Sequence, residues 1–551
     1  MRITPKWLLL VLTIARAASA AGEREVAEKL IDRITQQEEQ FVQELRTHTA
    51  ILETYIQETP DPSGGDGTAV RDHYFLGKLD FAKGLDYTGM AAHSEQAKGS
   101  RLLSFFKSRS TVFVPTGFAQ MVLLDADGFN RRNYQIDFVR REFLGEVRCL
   151  VFDVTPQDKK AAGKFKGRVW VEDHDFRIVR FNGTYTNSSA SRLYFHFDSW
   201  RVNVASGKWA PAFIYAEESQ PAGNGPAIPH FKAQTRLWGY NIAKSDKLEE
   251  LASIAVEAER AVTDKTDSAE ITPLESQRSW ERQAETNILE RLQKSGLLAP
   301  PSRVEDVLNT VVNNLIVTNN LNVEAKCRVL LTTPLETFSV GQTIVISRGL
   351  LDVLPDEASL AMVLAGELAH IALGHRTDTH FAFSDQTMLG EGELLRRLQL
   401  VRPEAEIASA SEKAMEILSQ SPYKANLSGA GLFVKALDSR SAQLPNLIRA
   451  NLGNQLTCDT ARARMKALAD QAPPLEQDKL EQIAALPLGS RVRLDPWTDE
   501  IALVKAKPVP LISARDKLPF EVTPFMIFLS RADARSKEQD PAPINDVPAQ
   551  R

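Results

Sequence analysis

The chain has 551 residues, of which 43% are hydrophobic and 25% charged, the make-up of a globular protein of roughly three or four domains. A net charge of -5 and the lack of any long basic run exclude a nucleic-acid-binding surface. No internal repeat is visible.

In chain order, Arg2 and Lys6 flank the apolar run WLLLVLTIA, and the small residues Ala18 and Ala20 close the stretch. This pattern is that of a Sec-type signal over residues 1–20. The run is too short to span a bilayer comfortably, and no other long apolar stretch exists. The expectation is an exported protein, periplasmic or secreted, soluble after signal cleavage. Residues 21–59 read as an N-terminal helix, because Val26, Leu30, Ile34, Phe41, Leu45, Leu52 and Tyr55 recur at three-to-four spacing. PDPSGGDGT, 60–68, is a loop.

From 70 to 245 the period changes to two. Phrases such as YQIDFVRREFLGEVRCLVFDVTP and GRVWVEDHDFRIVRFNGTYT, split by DADG and VASGK, predict an antiparallel β domain. Its aromatics, among them Trp170, Phe181, Phe197 and Trp200, serve a sheet core. Residues 246–279 are a charged, Ala-rich connector. A small β module is expected over 485–530, and a polar, Pro-rich disordered tail over 531–551. Cys149, Cys327 and Cys458 are too far apart to suggest a metal motif. One disulfide among them would leave at least one buried thiol.

Residues 360–375 read LAMVLAGELAHIALGH. GELAH differs by one residue from HExxH, in which two His at i and i+4 bind zinc and the Glu activates the metal-bound water. Gly366 stands where the first His belongs; Glu367 and His370 remain. Pro355 suits a first helical position, Asp356 and Glu357 suit the positive end of the dipole, and Gly374 suits a stop. The residues between are almost wholly apolar, so the helix is buried. Glu367 and His370 are then ionisable groups in an apolar setting, which is costly unless they are paired or bind something. The plainer alternative is a core helix with one satisfied Glu–His pair.

The surroundings carry a resemblance. The run Glu336 to His375 matches in Phe338, Gly341, Ile344, Val345, Ser347, Gly349, Leu350, Leu351, Glu357, Leu364, Glu367 and His370. With SASEKAMEILSQSPY after it and TCDTARARMKAL later (Thr457 and Arg464 kept), it resembles the HtpX-like and prenyl-protein-type zinc metallopeptidases, gluzincins of peptidase family M-48, over roughly residues 280–470. The strand phrases of the β domain resemble LolA-like lipoprotein-carrier half-barrels. The implied fold class is α+β multidomain: an antiparallel β domain, a mostly helical zincin-like metallopeptidase domain, and the small C-terminal β module.

The resemblance implies zinc and proteolysis, with Glu367 as general base and His370 as a metal ligand. It also implies a third ligand, a Glu, which an alignment on Ala414 and Tyr423 places at Ser409, beside Ala410 and Ser411. Two of three ligand positions, Gly366 and Ser409, thus lack donors, whereas a catalytic zinc needs three protein ligands and a water. Zinc is not expected to be bound there. Nearby substitutes are His375, Asp378, His380, Glu404 and Glu406. His375, five residues beyond His370, lies about 140° around a helix and should not share its face. The expectation is a non-catalytic pseudopeptidase, an envelope binding or scaffold protein. Its partner would be an extended peptide, a protein or a lipid, the peptide clasped by strand pairing. The alternative is an active zinc endopeptidase with an atypical ligand set.

Overall fold

A computed structural model describes residues 27–60, 68–90, 113–125, 128–158, 161–186, 195–218, 230–240, 272–377, 382–383, 395, 397–398, 400–448, 452–456, 465–482, 485–489, 491–504 and 520–532. The signal reading at 1–20, most of the connector, Cys458, Thr457, Arg464, Asp378, His380 and the tail beyond 532 lie outside these. No helix among the described residues is long and apolar enough to cross a membrane. The chain divides into two compact units, one of Met1–Thr47, Gln120–Ile214 and Met526–Arg551, the other of His48–Ala119 and Tyr215–Phe525. This grouping differs from a β domain at 70–245 followed by a separate domain from 280.

The first unit holds a helix, α1 (27–45), and an antiparallel meander. Its strands are β4 (Tyr134–Leu144), β5 (Val147–Pro156), β6 (Phe165–Glu172), β7 (Ile178–Tyr185), β8 (His196–Ala205) and the first part of β9 (Lys208–Glu218). Phe165, Phe181 and Phe197 meet edge to face on one side of the sheet. Such geometry stabilises ring pairs beyond their area burial. α1 buries Ile34, Phe41, Val42 and Leu45. Its Glu38 accepts both arms of the Arg201 guanidinium, at 2.7 and 2.6 Å, and that guanidinium lies 3.8 Å from the Phe41 ring centroid. The pair is buried on both sides, where a bidentate fork is the favourable arrangement.

In the second unit the expected N-terminal helix ends early. Thr49–Thr59 is a strand, β1, not a helical continuation. TAILETYIQET is rich in β-branched and aromatic residues, and it pairs antiparallel with β2 (Arg71–Asp80) and with β10 (His230–Trp238). Leu52 and Tyr55 fit a three-residue step, but ladder bonds on both edges override a short helical period. β3 (Asp86–Gly89) closes the order β3-β2-β1-β10.

The same unit holds helices α2 (Pro273–Lys294) and α3 (Arg303–Thr318), then strands β11 (Lys326–Leu330), β12 (Glu336–Val340) and β13 (Thr343–Ser347). α4 (Arg348–Val353), α5 (Glu357–Ala372), α6 (Glu404–Ser419) and α7 (Leu427–Arg440) follow. With β14 (Asn454–Gln455), the strands form a sheet ordered β11-β13-β12-β14, parallel only between β11 and β13. α3, α5 and this sheet share one core with Leu308, Phe338, Val345, Leu364 and Leu368. The C-terminal β module is a two-stranded ribbon, β15 (Val492–Leu494) with β16 (Ile501–Leu503). Cys149 and Cys327 are free thiols, pushed up to about 12 chiefly by burial, and such thiols are unreactive.

A buried polar cluster ties β1 to α4. Arg348 and Glu53 are each 1% exposed in their side chains and meet at 2.9 Å. Arg348 Nε also donates to the Leu331 carbonyl, and its Nη2 to Thr333 Oγ1. Glu53 accepts further from Tyr74 Oη, the Thr333 hydroxyl and the Thr333 amide. Gly349 makes this approach possible, since a Cβ there would lie 1.7 Å from the Thr333 carbonyl oxygen. Removing one partner of a buried pair strands the other charge. Arg348→Met is therefore expected to cost about 3–5 kcal/mol, read as a lowered midpoint in denaturant unfolding.

Asp499, at the turn of the β15–β16 ribbon, accepts the Gly239 amide at 2.8 Å. Burial raises its carboxyl from 3.8 to about 7; the Gly239 bond opposes the rise and Asp495 adds to it. The folded state thus holds this proton more tightly than the unfolded chain, so the contribution is full below pH 4 and lost as pH rises toward 7. Asp499→Asn should flatten that decline, measured as melting temperature against pH for both proteins.

Candidate metal centre and its loss

α5 is capped by Asp356, whose Oδ1 accepts the Ser359 amide at 2.8 Å. Pro355 therefore precedes the cap. Glu357 opens the helix, and its carboxylate accepts from Tyr423 Oη, itself bonded by the Asn314 side chain. The helix is buried along almost its whole length, and Glu367 and His370 are 0% and 1% exposed.

Gly366 sits one turn before His370, facing a cavity of about 20 Å³. Ile407, Ala410 and Ser411 of α6, Val434 and Met465 help line it. A Cβ on Gly366 would meet only Met465 Cε, at 3.6 Å. Ser409, the expected third-ligand position, is exposed. Its hydroxyl bonds back to the Ala405 and Glu406 carbonyls of its own helix. The family's zinc does not fit these residues: Gly366 offers no donor, Ser409 faces away from the cavity, and the space is about one water's worth with a mainly apolar wall.

A different set of donors does converge. α5 ends in a Schellman turn: Gly374, at φ +69°, donates to the Ile371 carbonyl, and the His375 amide donates to that of His370. The chain leaves the helical path at Gly374, so the 140° separation expected for His375 does not apply. Its ring returns over His370, with the two Nδ1 atoms 2.9 Å apart and the ring centroids 5.1 Å apart. From α6, Glu406 brings Oε2 to 3.9 Å from His375 Nδ1. Glu404, another nearby candidate, is exposed.

Arg402 sets this corner. Its Nη1 lies 3.6 Å from Glu406 Oε2 and also donates to the Arg376 carbonyl. Its Nη2 reaches the Ser339 carbonyl and hydroxyl at 3.3 Å each. The Gly341 amide donates to Thr377 Oγ1 at 3.1 Å, and Glu336 and Thr337 pair with β14. Sequence reasoning did not single out Arg402, and its only signal was its place at the foot of α6.

Because the Cβ at 366 has ordinary contact space, Gly366→Ala is expected to keep the fold and add up to about 1 kcal/mol of helix stability. An unchanged or raised melting temperature is the expected reading; a fall of several degrees would refute it.

Residues 304–405 match the family model described as peptidase family M48. That span covers α3, the β11–β13 strands, α4, α5 and the start of α6. No curated protein matches the chain. The match falls on the helix that carries Glu367 and His370, so residues 304–405 form a segment similar to peptidase family M48.

Proposed function

We propose that this protein is a non-catalytic member of its family, an exported binding or scaffold protein of the cell envelope. The observation that carries the reading is the state of the family's metal position. Gly366 has no donor, Ser409 is exposed, and a cavity of about 20 Å³ with a mainly apolar wall lies between α5 and α6. Hydrolysis in this family runs through a metal-polarised water beside the glutamate, and Gly366 and Ser409 supply no ligand set to hold that metal beside Glu367. Export rests on the Arg2–Lys6 flank, the apolar run and the small residues up to Ala20.

The partner proposed is an extended peptide, a protein or a lipid of the envelope. Pairing of a peptide along β12 would require displacement of the chain's own groups, since β14, Arg402 and Thr377 already bond there. The antiparallel strands, which resemble lipoprotein-carrier sheets, are the better-suited ligand surface. A second reading, an active zinc endopeptidase with an atypical ligand set, is favoured by one observation, the convergence of His370, His375 and Glu406.

Casein and extended peptides incubated with the mature protein and added zinc are expected to remain intact. Chelator-sensitive cleavage that disappears in Glu367→Gln would establish the second reading instead.

A further inference from the structure

We propose that His370, His375 and Glu406 form a binding site for one divalent transition-metal ion, of the borderline class that takes imidazole and carboxylate together, with Zn²⁺ as its best fit. The site shares only His370 with the family's own. It uses neither Gly366 nor Ser409, it leaves Glu367 outside the ligand set, and His370 contributes the Nδ1 atom that faces His375.

One ligand atom from each residue lies within 4.8 Å of the other two. The measured edges are 2.9 Å between the imidazole nitrogens and 3.9 Å from His375 Nδ1 to Glu406 Oε2. Ligands at about 2.0–2.2 Å from a tetrahedral zinc stand roughly 3.3 Å apart, so the two measured edges bracket that spacing and the third is no longer than 4.8 Å. His370 is buried, and His375 and Glu406 are half-buried, which shields the site while leaving it an open side for entry and for a fourth ligand.

Glu406 Oε2 supplies an independent observation. It is shut off from water and has no hydrogen bond among the described residues; Arg402 Nη1 at 3.6 Å and His375 Nδ1 at 3.9 Å form ion pairs with it beyond hydrogen-bond distance. A buried carboxylate oxygen without a hydrogen-bond donor is costly, and a cation between it and the two imidazoles would lower the cost that the Arg402 ion pair leaves. The position favours positive charge as well, since His370 is in the last turn of α5, where the helix dipole is negative. The two imidazole nitrogens can share only one proton between them when neutral, and a metal in place of that proton uses a lone pair from each. The ion would clamp the end of α5 to the first turn of α6.

The test uses the full mature chain, stripped with a chelator and titrated with zinc against a chromogenic competitor. One ion per chain is expected. His375→Ala and Glu406→Gln should each weaken binding by tenfold or more, given that even outer-shell partners cost about 10–100-fold; Gly366→Ala should leave it unchanged. Far-ultraviolet circular dichroism of the metal-free variants checks that they fold. If either variant does not fold, cobalt substitution of the parent decides, with intense tetrahedral d–d bands expected. The proposal is overturned by no stoichiometric binding, by full affinity in His375→Ala, or by cobalt spectra of a hexa-aquo ion. Loss of the non-catalytic reading is seen separately, as cleavage abolished by Glu367→Gln, and that result would leave the metal assignment standing.

Discussion

The second unit depends on a charge pair placed where water cannot reach it. Arg348 and Glu53 are both almost wholly buried, and two such ions are tolerated only when the rest of their donors and acceptors are used. Here they are. The guanidinium spends its fork on Glu53, Thr333 and the Leu331 carbonyl, and Glu53 takes Tyr74 and Thr333 in addition. A lysine could supply the charge but not the planar fork. The arrangement requires Thr333 and Arg348 to lie close together, and Gly349 allows that approach. It also requires β1 to run as a strand with Glu53 turned inward. Gly349, inside the span that matches the family model, is thereby linked to a strand far upstream of that span.

A second local constraint shapes the metal region. Gly374 takes a left-handed conformation and ends α5 in a Schellman turn. A continuous helix would have carried His375 to another face. The turn instead returns it to His370, against Glu406. At the position of the family's first histidine, the wall is closed by α6 side chains and Met465. The same helix end therefore carries no donor at Gly366 and brings His375 and Glu406 to His370.

The core helix and its residues Glu367 and His370 were legible because they rest on local rules: an acidic cap, an apolar run with two ionisable breaks, and a glycine stop; the domain around them was legible only through the resemblance. The β region was legible from its period of two. The helix over 27–45 was also legible, but its expected continuation to 59 was not sound, because the three-residue spacing of Leu52 and Tyr55 also suits a strand paired on both edges. The placement of Ser409 came from alignment alone. The structure turns Ser409 outward and points Ile407, Ala410 and Ser411 toward the cavity.

Composition, period and motif spacing are properties of neighbouring residues, so they sufficed for the α+β class and for the GELAH helix with a glycine at its first position. Whether Glu53 meets Arg348, whether β1 finds ladder partners on both edges, and whether His375 and Glu406 reach His370 depend on residues remote in sequence. Those contacts form only once the core has packed and the buried polar groups have been forced to find donors and acceptors. For that reason the convergence of two imidazoles and a carboxylate appears in the tertiary structure and in no spacing of the chain.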